Sequence, residues 1–362
     1  MEKGPYNIVL RVACICDRVD LAKSLIEKGA NVFDKCLIEA CETGHIEIVK
    51  LMIESGATNF NGGLYGACYR GNYEIAKLIL ENGATDFNSC LRAACRYKSV
   101  EIAKLLIEKG ATDFNGGLLN ACEINSVRAS QGRIVNVDNS NGSLLLESRG
   151  NYSIEVAELM VEKGATNFNE CLLEACKRGR VKIAKLMIES GATNFNAGLL
   201  EACGRGSVEI VKLMIESGAT DFNAGLLESC KKGHIEIVKL MIESGATDFN
   251  GALNKACKDG QIRIAELLIK MGATDFDKNL YVAYQYGHNE IVKLLIEKGA
   301  TDFNKYLCLV CRDGQDDIVK LLIEKGATNL NKALYLAALN GYYETTKLLL
   351  EKGATYFDFD AE

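Results

Sequence analysis

The three histidines of this 362-residue chain, His45, His234 and His288, are the first candidates for acid–base or metal chemistry. Each follows a glycine at an equivalent place, twice inside the same phrase, GHIEIVKLMIESGA, at residues 44–57 and 233–246. A catalytic or metal-binding histidine is special to one place and comes with a nucleophile, a base or further ligands. None accompanies these three, so they read as rungs of a scaffold. The fifteen cysteines invite redox or zinc chemistry, but ten recur in register: Cys14, Cys41, Cys68, Cys95, Cys122, Cys176, Cys203, Cys230, Cys257 and Cys311. Tyr284 and Ala338 hold the same place in two further repeats. Free cysteine packs as a small apolar side chain. Rungs at a helix-packing spacing of ~8–10 Å lie too far apart to bridge, and their regularity favours reduced thiols in a cytosol-like compartment. Cys36, Cys90 and Cys171 fall near predicted helix starts. Cys308 and Cys311 form a lone CxxC, a weak redox or zinc signal with no second pair nearby. No Walker-type loop or dinucleotide fingerprint occurs, and Gly62-Gly63 and Gly116-Gly117 have counterparts in only some repeats, which argues against a phosphate cradle. The expectation is no catalytic residue, no metal and no cofactor.

What positions these residues is a repeat. Gly-Ala dipeptides begin at 29, 56, 83 and 110, then at 164, 191, 218, 245, 272, 299, 326 and 353, a spacing of 27 with one doubled interval. Twelve repeats result, the fifth carrying an insertion at about 126–152, and a period of this size marks a solenoid or array. Each repeat reads like residues 61–84, NGGLYGACYRGNYEIAKLILENGA. An Asn or Asp (Asp34, Asn61, Asn88, Asp277, Asn304) stands where a helix should start, suited to accept from free N–H groups of the first turn. A phenylalanine before it can staple the incoming chain. Leu64, Ala67 and Cys68 then make one apolar stripe. A second helix such as Ile46–Glu54 is apolar on Ile46, Val49, Met52 and Ile53, with Glu47, Lys50 and Glu54 left to solvent and Lys50 facing Glu54. No repeat buries its apolar surface alone, so the whole chain, 1–362, reads as one stacked array ending in a cap at about 327–362.

The phrase GHIEIVKLMIESGA resembles the second helix and closing turn of the ankyrin repeat, and the preceding LxxAC resembles its first helix. The resemblance covers nearly the whole chain apart from the insertion and the extreme termini. It implies an all-α, ankyrin-like α-solenoid of about twelve helix-turn-helix units. Ankyrin repeats are usually longer, with a β-hairpin finger and a Thr-Pro-Leu-His start, and neither feature is present here. The shortened form resembles the ankyrin-repeat proteins of amoeba-infecting giant DNA viruses. The family resemblance implies a non-enzymatic scaffold or adaptor that binds a protein partner, a host protein if the chain is viral. With the fingers missing, the binding surface narrows to the first helices.

In an array, function should reside where repeats differ, and three departures stand out. Within the insertion, Arg133, Ile134, Val135 and Val137 alternate, a turn-forming DNSNG follows, and Leu144, Leu145 and Leu146 come next. That pattern suggests a β-hairpin, or else a tolerated loop. In the last three repeats the residue two after the first-helix leucine becomes Val282, Leu309 and Leu336, where Glu, Asn or Lys stands in most earlier repeats. Tyr281, Tyr286, Tyr306, Tyr335 and Leu339 occur in the same repeats. These eight residues read either as a binding patch or as a cap buried against the tail. Arg178, Arg205, Lys231 and Lys232 form a basic ridge near first-helix C-termini, where cations complement the helix dipole.

A net charge of −6 gives no global pull toward nucleic acid, and no stretch approaches the ~18 apolar residues of a membrane span. The expectation is therefore a cytoplasmic protein binder of undetermined oligomeric state without a membrane role. Nucleic-acid or acidic-surface binding through the ridge is the alternative, and end-to-end or virion self-assembly is the third class.

Overall fold

A computed structural model of the chain describes residues 5–122 and 154–355. Among them the backbone forms twenty-four helices and no strand, the all-α arrangement that the repeat implies. The chain divides into two compact units, Met1–Gly198 and Leu199–Glu362, the division falling within the helix Phe195–Arg205. The insertion residues Arg133, Ile134, Val135, Val137, Leu144, Leu145 and Leu146 lie outside the described residues, as do 356–362.

Each repeat is a helix pair, as in Phe60–Arg70 followed by Tyr73–Glu81 in the first unit and Phe222–Lys232 followed by Ile235–Glu243 in the second. The spacing of apolar residues sets the buried stripe. Leu64, Ala67 and Cys68 on one helix and Ile75, Ala76 and Ile79 on the other are each 0% exposed. Burying a leucine or isoleucine in this way contributes about 1.5–3 kcal/mol. Gly56 ends the second helix Ile46–Glu54 at φ +100°, a left-handed turn in which a side chain would be strained. On that helix Lys50 pairs with Glu47 at 2.9 Å, one turn toward the N-terminus, instead of with Glu54.

The Asn/Asp ladder works differently from the capping expected of it. Helices begin one residue earlier, at the phenylalanine, and the cap is the residue before that. Asn59, Asp86, Asp221 and Asp248 accept from the N–H groups of Gly62, Ser89, Ala224 and Gly251. This releases the ladder side chain to reach the next repeat. The Oδ1 of Asn61 accepts from the N–H groups of Thr85 and Asp86 at 2.8 and 3.0 Å, and Asn88 holds Thr112 and Asp113 at the same distances. In the second unit Asp277 accepts from Thr301 and Asp302 at 2.6 and 2.9 Å, and Asn304 from Thr328 and Asn329 at 2.7 and 2.9 Å. One side-chain oxygen thus satisfies two donors of the following turn and sets the register between repeats.

First helices stack through a second repeated contact. A Cβ added to Gly63 would lie 3.3 Å from the Cys41 sulfur, and one on Gly225 would lie 3.2 Å from that of Cys203. At these junctions the ladder cysteine therefore touches the residue just before the first-helix leucine of the next repeat. Where that residue is itself cysteine, the pairs Cys14–Cys36, Cys68–Cys90 and Cys122–Cys171 form hydrogen-bonded thiols. All fifteen are free thiols, and thirteen are buried.

Candidate functional site

The eleventh repeat breaks this stacking rule, and a groove results. Within the second unit the tenth, eleventh and twelfth repeats present the first helices Phe276–Gln285, Phe303–Arg312 and Leu330–Leu339. At the first of these junctions both contact residues are aromatic: Tyr284 in place of cysteine, Tyr306 in place of glycine, alanine or cysteine. Their rings meet edge to face, with centroids 5.2 Å apart at 76°. The Tyr284 hydroxyl donates to the Leu309 carbonyl oxygen at 3.1 Å and also engages the Asp313 carboxylate. Phe276–Gln285 and Phe303–Arg312 consequently do not close up as Phe249–Lys258 does on Phe276–Gln285, or Phe303–Arg312 on Leu330–Leu339.

The opening is a groove of about 480 Å³ lined by Tyr281, Lys305, Cys308, Leu309, Arg312 and Leu336. Tyr281 stands 50% exposed above it, while Leu309 and Leu336 are half-buried. The lining is an aromatic ring, two aliphatic side chains and a thiol, with one cation at each of Lys305 and Arg312. It can enclose an apolar side chain and hold a carboxylate beside it.

Three of the eight residues expected in the patch, Tyr281, Leu309 and Leu336, line this groove. Tyr306 does not belong to the surface at all: it is 3% exposed, and its ring is the wedge behind the groove. Its hydroxyl is buried without a protein partner, and burial pushes it well above the usual phenol range. Val282 is half-buried and outside the lining, and Tyr335 and Leu339 are exposed beyond it. Tyr286 closes its helix, with the Lys258 ammonium 5.2 Å from its ring centroid, a cation–π contact. Sequence reasoning missed Lys305, Cys308 and Arg312. The available signal was the pair of tyrosines at one junction, two bulky residues where every other junction has cysteine against glycine, alanine, an amide or another cysteine.

The CxxC is pulled apart by its helix: Cys311 faces the core and Cys308 the groove. Burial pushes the Cys311 thiol up to about 12 and raises that of Cys308, where nearby Lys332 opposes it. Both are therefore poor thiolates at neutral pH. Among the described residues no three His, Cys, Asp or Glu side chains are placed to hold a metal ion, and no helix is long and apolar enough to cross a membrane.

The histidines brace one repeat against the preceding one. The Nε2–H of His45 donates to the Ile15 carbonyl and that of His288 to the Lys258 carbonyl, each at 3.0 Å. A carbonyl can only accept, which assigns the proton to Nε2. The His234 ring fills the space over Gly206, where an added Cβ would lie 2.6 Å from it. Of the basic ridge, Arg178 pairs with Glu174 in the first unit. In the second, Lys231 reaches Glu228 at 3.5 Å, and Arg205 and Lys232 are exposed.

Comparison with known protein families agrees with this architecture. A family model described as Ankyrin repeats (3 copies) matches residues 10–89, 37–116, 199–281, 226–306 and 280–360. Among solved structures, the chain is similar to the human ASB11 ankyrin repeat domain at 26% identity. That match covers 51% of this chain and 99% of the other, with a TM-score of 0.43. No curated protein sequence matches the chain.

Proposed function

Because the chain belongs to the ankyrin-repeat family, whose repeats are generally protein–protein interaction modules, we propose that it is a non-enzymatic scaffold that captures a protein in the groove of its tenth to twelfth repeats. The observation that carries this reading is the Tyr284–Tyr306 wedge, which departs from the stacking rule and leaves Leu309 and Leu336 accessible beside two cations. An apolar cleft with a polar rim is the usual form of a binding hot spot. The bound segment supplies an apolar side chain to the cleft and a carboxylate to Lys305 or Arg312. The shortened repeat supports the finer reading that the array is of the giant-virus type, resides in the cytoplasm and engages a host protein.

The test is affinity purification with wild type, with a Tyr281→Glu/Leu309→Glu/Leu336→Glu variant, and with an Arg205→Glu/Lys232→Glu control. Partners retained by wild type and by the control should be lost with the triple variant, at unchanged helicity. Equal recovery by all three proteins rejects the groove, and loss with the control alone transfers the function to the basic ridge.

A further inference from the structure

The contact that joins one repeat to the next has two halves, and the chain carries an apolar copy of each on its first and last repeats. The halves are defined by interior junctions. A Cβ on Gly62 would meet Ile38, one on Gly63 would meet Cys41, and one on Gly66 would meet Glu42 and Cys41. One half is thus the trio Ile38, Cys41 and Glu42; the other is the trio Gly62, Gly63 and Gly66 that receives it. In the first repeat the receiving trio is Ile8, Val9 and Val12, all branched and 62%, 43% and 54% exposed. No other repeat has three aliphatic residues there; Lys35, Cys36 and Glu39 or Glu170, Cys171 and Glu174 are typical. In the twelfth repeat the opposite trio is Tyr335, Ala338 and Leu339. Leu339 is 66% exposed at a place that elsewhere bears Lys177, Lys231, Lys258 or Arg312.

The second helices continue both faces. Leu21, 46% exposed, is the counterpart of Ile48 and Ile75, which are 0% exposed under a preceding repeat. Leu350, 53% exposed, is the counterpart of half-buried Ile323. Eleven of the eighteen large apolar side chains exposed among the described residues lie in these two repeats. Soluble repeat arrays normally place polar residues on such outer faces, so these two faces are built to be covered.

We infer that the occupant is a second copy of this chain, the Tyr335–Ala338–Leu339 face of one copy seating the Ile8–Val9–Val12 face of the next. Continuity with the interior contact is the argument, because the two faces are complementary halves of an interface the chain already uses between its own repeats. Their bulk is matched too: Val9 is larger than the glycine, alanine or cysteine usual at its place, and Ala338 is smaller than the usual cysteine. Such a contact is heterologous, head to tail, and leaves a free face at each end of the assembly. It is independent of the groove proposal, since Leu309 and Leu336 take no part in it.

The full chain, studied by light scattering and sedimentation velocity over a dilution series, should show a mass that rises with concentration. Val12→Glu and Leu339→Glu should each lose this self-association at unchanged helicity, with Ile8→Lys replacing the first if it perturbs folding. An equimolar mixture of the two variants should recover a dimer and nothing larger, since only one compatible pair of faces remains. A wild type that stays monomeric throughout overturns the proposal. So does a single variant that still associates, or a mixture that remains monomeric.

Discussion

At the scale of the residue, repetition changes what a side chain's chemical type signifies. Cysteine in this array is a core residue: burial alone pushes Cys230 and Cys257 up to about 12, and Cys41 reaches about the same value with Glu42 adding to the effect. Cys36, Cys68 and Cys171 are raised further, first by the hydrogen bond to a partner thiol and then by burial. Thiolates are the reactive form, so a maleimide or aromatic disulfide reagent at neutral pH should modify Cys16 rapidly and Cys308 more slowly. The thirteen buried thiols should react only on unfolding. Rapid native modification of three or more cysteines per chain would contradict this burial. Histidine likewise serves here as a donor to a neighbouring helix end, a structural role for a residue usually suspected of catalysis.

At the scale of the element, the ladder of Asn and Asp makes register a matter of hydrogen bonds as well as packing. Asp277 puts a carboxylate where most repeats have an amide. Burial opposes its charge, but the N–H groups of Asp302 and Thr301 and the Thr301 hydroxyl together outweigh that penalty, holding it below its ordinary value of 3.8. A carboxyl depressed by folding stabilises the native state fully above its unfolded value. It loses that contribution as pH falls through the folded one. Asp277→Asn keeps the acceptor and removes the titration. The stability difference between wild type and variant, from denaturant midpoints, should be constant near neutrality and shift against wild type below pH 3.8; a difference that stays flat through that window contradicts the linkage. The helix pairs, their buried stripes and the glycine turns were all legible in the sequence, because periodicity is a property of one repeat. What two repeats do to each other was not. The ladder Asn, Cys36 against Cys14, and Tyr306 against Tyr284 each depend on which residues face across a junction, and spacing along one helix does not reveal that. Tyr306, read from spacing as either a binding-patch or a cap residue, has its place between helices.

At the scale of the whole molecule, the proposed binding depends on one altered junction. Restoring the ordinary partners with Tyr284→Cys/Tyr306→Ala should let Phe303–Arg312 settle on Phe276–Gln285 and close the groove. Partner capture should then fall as far as with the glutamate variants while the thermal midpoint holds or rises; full capture by this double variant would show that the wedge is dispensable. The same junction has a consequence for how such a gene can change. Most repeats offer a cysteine on one side and a small residue, an amide or another cysteine on the other, so unequal crossing-over that deletes or duplicates one period rejoins compatible partners. A crossover that separates Tyr284 from Tyr306 instead sets a tyrosine against a cysteine and strands the other ring. Recombination can lengthen or shorten the array on either side of this point, but the tenth and eleventh repeats keep matched partners only when they move as a pair.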